Sequence, residues 1–77
     1  MWVEENFKLV NQCKFKVFSG AMTFINEVAK ICEEVNHHPE IYNCYSSVKL
    51  SLCTHDSNDN ITEKDRQLAR LIDEIVL

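Results

Sequence analysis

The chain is expected to fold as an α+β domain of two layers, a four-stranded antiparallel sheet with helices on one face, in the order β-β-α-β-β-α. Three observations predict this. Apolar and polar side chains alternate with a period of two in "FKLVNQCKFKV" and again in "VKLSLCTH". Between these runs, residues 19–36 repeat apolar side chains at intervals of three and four. The same spacing returns after the polar segment "HDSNDN". Helices that share one apolar stripe each must bury it, and one face of a half-polar sheet offers the place.

The elements follow in order. In residues 1–18, Phe7 and Leu9 alternate with Lys8, and Cys13, Phe15 and Val17 alternate with Lys14 and Lys16. Two half-buried strands result, with the turn expected at Asn11, whose side chain tolerates positive φ. Ser19 is the expected N-cap of the first helix. Its stripe is Ala21, Phe24, Ile25, Val28, Ile31, Cys32 and Val35. The helix is expected to stop near His38, because Pro39 disfavours helical geometry in the residue before it. A second hairpin is expected over residues 40–54, turning at "CYSSV". Val48, Leu50, Leu52 and Thr54 share one of its faces, and Lys49, Ser51, Cys53 and His55 the other. Thr62 caps the last helix with Asp65 as its capping-box partner. Leu68, Leu71, Ile72 and Ile75 form the stripe of that helix.

All 77 residues are read as one domain. A chain of this size buries only about 60% of its unfolded surface, so packing alone is marginal and self-association is a natural supplement. The composition, 45% hydrophobic and 26% charged, is that of a globular protein. A formal charge of −4 argues against a nucleic-acid surface. No apolar run reaches the length of a membrane span, and no secretory leader is visible at the start of the sequence. The four cysteines form no CxxC pair and are expected as reduced thiols in a cytosol-like compartment.

The stretch "EEVNHHPEIYNCY" places two histidines side by side before the only proline, and the third lies in "SLCTHDSND". Adjacent helical residues project about 100° apart, so His37 and His38 do not chelate one ion together, and no metal is expected. Histidines at a helix C-terminus meet the negative end of the dipole and need no further role. The third reading is acid–base chemistry. Glu33 stands one helical turn before His37, where a carboxylate can bond one ring nitrogen and leave the other free. His55, at the end of a strand beside a loop, is free to approach the same corner.

"EEVNHHPEIYNCY", "VKLSLCTH" and "TEKDRQLARLID" resemble the pterin-4a-carbinolamine dehydratases. Glu33, His37, His38, Pro39, Tyr45, His55 and Asp65 occupy the places of the family pattern, and Phe15, Phe18, Ala21 and Phe24 agree with it upstream. Two departures stand out. The segment "DSNDN" lacks the family's glycine and is one residue longer, with Asn58 and Asn60 able to take positive φ. The sequence also starts almost at the tryptophan of the first strand, where the family has a preceding helix.

The resemblance implies dehydration of a 4a-hydroxytetrahydropterin to the quinonoid dihydropterin, in tetrahydrobiopterin recycling. It implies His37, His38 and His55 as the catalytic set, with His37 and His55 essential and His38 in substrate contact. Glu33 would orient His37, Asp65 would either bond His55 or serve only as first-turn charge of the last helix, and Tyr45 would pack beside the site. The pterin is the substrate, and no cofactor is implied. A homodimer or homotetramer is implied, in the cytoplasm or also the nucleus. The alternative function is a protein-interaction module that stabilises a transcription-factor dimer.

Overall fold

The computed structural model describes residues 2–54, 58 and 60–75. Six elements follow in the expected order: β1 Val3–Glu5, β2 Lys8–Lys14, α1 Phe18–Val35, β3 Glu40–Cys44, β4 Ser47–Leu52 and α2 Glu63–Asp73. The strands form one antiparallel sheet in the order β1-β2-β4-β3. Both hairpins are present, and β2 joins them by pairing with β4, Leu9 opposite Leu52 and Cys13 opposite Val48. Leu9, Val48, Leu50 and Leu52 meet Ala21, Phe24, Val28 and Cys32 of α1 and Leu68, Ala69 and Ile72 of α2 in a single core cluster. Both helices therefore cover one face of the sheet.

The first hairpin turns at Asn6–Phe7, not at Asn11. Asn6 and Phe7 have φ of 50° and 65°, and Asn11 is buried in the middle of β2, opposite Leu50. The physical reason lies in the phase of the pattern. Leu9, Asn11 and Cys13 are all odd positions, so one strand carries them through Asn11 with one face inward. This two-residue hairpin loop takes positive φ at both central positions, as a type I′ turn requires, which suits asparagine and glycine but strains a bulky side chain. Phe7 is 74% exposed, so its ring gains little in return. Phe7→Gly is expected to stabilise the protein by about 0.5–1 kcal/mol, a rise of a few degrees in Tm. Thermal unfolding followed by circular dichroism checks it, and a lower Tm would contradict the strain argument.

Helix α1 starts one residue before Ser19. Val17 is its N-cap, with no side-chain bond, and the Ser19 carbonyl accepts a bond from the Thr23 hydroxyl at 2.9 Å. At the other end, Asn36 takes the left-handed conformation, φ 54°, and its amide donates to the Cys32 carbonyl. The His37 amide donates to the same carbonyl at 3.2 Å. The helix thus ends on an asparagine cap, before Pro39 exerts its effect. That cap turns His37 and His38 out of the helical spiral. Of the predicted stripes, Val35 and Leu71 stay exposed near the ends of the two helices.

Candidate active site

The site is built around Asp65, in the first turn of α2. Thr62 caps that helix in extended geometry, and its amide donates to Asp65 Oδ2 at 2.9 Å, closing the expected capping box. Thr54, just past the end of β4, donates its hydroxyl to the same oxygen at 2.8 Å and lies 2.6 Å from the Thr62 hydroxyl. Asp65 Oδ1 accepts from His37 Nε2 at 2.6 Å. The carboxylate is fully buried. Burial alone would push its pKa up. The bond from His37, the Thr62 amide, the Thr54 hydroxyl and the charge of His37 together outweigh it, and the pKa falls below the ordinary carboxylate value.

An ionised carboxylate only accepts hydrogen bonds. His37 Nε2 therefore carries the hydrogen, and Nδ1 is left to take or, once protonated, to give a proton. A depressed carboxylate pKa also sets the acid behaviour. Its contribution to stability is complete above the unfolded value of about 4 and is lost as pH falls through the lower folded value. Unfolding free energy is expected to decline as pH drops below about 4, and Asp65→Asn is expected to flatten that decline. Urea titrations from pH 6 to pH 2.5 measure both, and an equally steep decline in the variant would contradict the assignment.

The other predicted residues are placed as follows. His38 is largely exposed, and its Nε2 lies 3.8 Å from Glu33 Oε1. Glu33 thus accompanies His38 rather than His37, because the left-handed Asn36 breaks the one-turn alignment that the sequence predicts. Contacts this long and exposed contribute little. Pro39, half-buried, leads from His38 into β3. Tyr45 does not stand at the His37–His38 end of β3. It occupies the β3–β4 turn at φ 52°, 67% exposed, at the far end of β3 from Pro39. Five residues of strand separate the two, about 16 Å of chain.

His55 lies outside the described residues, as do Asp56, Ser57 and Asp59 of the following segment, so the expected bond from His55 to Asp65 falls there too. The histidine seen on Asp65 is His37. Thr54, the residue before His55, is held on the same carboxylate. Asn58 takes positive φ, 59°, as its residue type allows.

His37 borders a pocket of about 260 Å³ between the end of α1 and one side of α2. Val35, Asn36 and His37 line it from one side, and Lys64, Gln67, Leu68 and Leu71 from the other. Sequence reasoning missed Lys64 and Gln67. The available signal was their spacing, since 64, 67, 68 and 71 fall on one face of a helix. Among the described residues, no three His, Cys, Asp or Glu side chains are grouped to hold a metal ion.

Residues 1–75 match the family model described as pterin 4 alpha carbinolamine dehydratase. The chain belongs to this family. Among curated relatives of the dehydratase family, a Prochlorococcus marinus protein is 37% identical over 75 residues, covering 97% of this chain and 78% of its own. One from Thermomicrobium roseum is 43% identical over 74 residues, covering 96% and 78%. Both carry the name "putative pterin-4-alpha-carbinolamine dehydratase". A transcriptional coactivator/pterin dehydratase from Brucella melitensis superimposes with a TM-score of 0.86 at 35% identity, over 94% of this chain and 78% of that one. A pterin dehydratase-like protein described as a RuBisCO assembly factor shares the fold at 20% identity, with a TM-score of 0.75 over 95% and 83%. In this dehydratase-family chain, the histidine bonded to the buried Asp65 lines the pocket.

Proposed function

We propose that the chain is a 4a-hydroxytetrahydrobiopterin dehydratase, a hydro-lyase that works by histidine acid–base catalysis without metal. The observation that carries this reading is His37 at the border of the pocket, with one ring nitrogen committed to the buried Asp65 and the other, among the described residues, available. In the reaction, the N5 lone pair moves toward C4a as the C4a–O bond breaks. The departing hydroxyl takes a proton and leaves as water, and N5 gives up its own proton. His37, through Nδ1, takes the N5 proton. His55 gives the proton to the leaving oxygen. Exchange with water then restores both rings. His38, exposed beside His37, contacts the substrate.

The product is the quinonoid dihydropterin, and the cellular setting is tetrahydrobiopterin recycling after aromatic amino acid hydroxylation. Reduced thiols at Cys13, Cys32 and Cys44 fit a reducing, cytosol-like compartment. The experiment is rapid mixing of freshly generated 4a-hydroxytetrahydropterin with the pure protein. Faster loss of the carbinolamine than in buffer is expected. An unchanged rate at micromolar protein would end the assignment.

A second reading is a protein-interaction module that stabilises a transcription-factor dimer. It draws on the coactivator name of the Brucella melitensis neighbour. It also draws on edge strand β3, where Ile41 and Tyr42 are exposed and a further strand, from a partner or a second copy, can pair. Partner capture that persists in His55→Ala would separate this role from the chemistry.

A further inference from the structure

We propose that Gln67 binds the amide edge of the pterin ring, the N3–H and C4 carbonyl that adjoin the reacting carbon. The inference rests on the pterin reading above and adds a substrate-positioning residue to it. The pocket, about 260 Å³, is smaller than those that take drug-sized ligands, roughly 300–1,000 Å³. It suits a flat bicyclic ring, so contacts at the ring edges decide how that ring is held. An N–H beside a carbonyl needs an acceptor and a donor side by side. Val35, Leu68 and Leu71 offer neither, and the Lys64 ammonium only donates. His37 is committed, Nε2 to Asp65 and Nδ1 to the reacting atoms.

Among the described lining residues two carboxamides remain, Asn36 and Gln67. Each carries the required pair of donor and acceptor. Asn36 directly precedes His37 and shares its side of the pocket. With C4a and N5 against His37, the N3 end of the ring reaches the α2 side, where Gln67 has, among the described lining residues, the one side chain able to accept. Gln67 is exposed, and among the described residues its side chain makes no hydrogen bond or ion pair. It is therefore available to the ligand, and its loss leaves the fold intact.

The test is anaerobic equilibrium dialysis with a tetrahydropterin that lacks the 4a hydroxyl and so binds without reacting. Gln67→Leu is expected to raise its Kd about tenfold, the loss of two neutral hydrogen bonds. KM for the carbinolamine is expected to rise in step, with kcat within about twofold, since this contact is equal in ground and transition states. Equal binding by Gln67→Leu and wild type overturns the proposal, as does failure of the wild type to bind. Wild-type turnover with unchanged Gln67→Leu binding would reject Gln67 alone and leave the dehydratase reading standing.

Discussion

His37→Ala is expected to lower kcat for carbinolamine dehydration by about 10²–10⁴, the usual contribution of a positioned acid or base. The expectation follows from where the ring sits. Nε2 is fixed 2.6 Å from a buried carboxylate, so rotation of the imidazole is blocked and Nδ1 holds one direction. A base that needs no search for its geometry loses little entropy in the transition state. His55→Ala is expected to fall in the same range, since His55 is the proposed acid of the same step. His38→Ala is expected to act mainly on KM, because its ring is largely exposed and tied only loosely to Glu33. Single-turnover rates of the three variants, with Tm recorded beside each, measure this. Removing His37 also removes one bond to Asp65, so assays belong well below the lowest Tm. Turnover within about twofold of wild type in both His37→Ala and His55→Ala would reject histidine catalysis.

The parts of this structure that were legible in the sequence are local. The capping box of Thr62 and Asp65 spans three positions, and one helical turn is enough to form it. Core strand β4 announces itself because Val48, Leu50 and Leu52 alternate with polar neighbours, and all three are fully buried. The first turn was hidden because Phe7 contradicts its own conformation: Asn6 suits positive φ, but the bulky residue beside it does not. Asn36 was overlooked for a related reason. The proline three residues on is the louder stop signal, yet the helix ends at the asparagine. That displacement misdirects the site reading as well, since the partner of Glu33 changes from His37 to His38.

The bond between His37 and Asp65 joins residues 28 apart and was not legible at all. It exists because α2 packs its first turn beside the end of α1, which depends on burial of Leu68 and Ile72 against the shared core. Gln67 and Lys64 belong to the same class. Their helical spacing is visible in the sequence, but the pocket they face is made by two elements that meet only in the folded chain.

Asp65 carries fold and chemistry at once, and two substitutions separate them. Asp65→Ala strips the acceptor from the Thr62 amide, the Thr54 hydroxyl and His37 Nε2 together. Losing a helix cap and orphaning buried donors is expected to cost about 3 kcal/mol, or roughly 15 °C in Tm for a domain of this size. Asp65→Asn keeps one oxygen for Thr62 and Thr54 and presents an amide N–H₂ toward His37. Two donors then face each other unless the imidazole moves its hydrogen to Nδ1. Stability is expected to drop by only about 1 kcal/mol, while the nitrogen turned toward the substrate becomes a donor and ceases to be a base. Turnover is therefore expected to fall nearly as far as in His37→Ala. A merely structural aspartate would not behave this way, since activity would then follow Tm across the two variants. Wild-type kcat in Asp65→Asn would show that the tautomer of His37 does not matter to the reaction. A full loss of kcat with a nearly native Tm would place Asp65 as the residue that makes His37 a base.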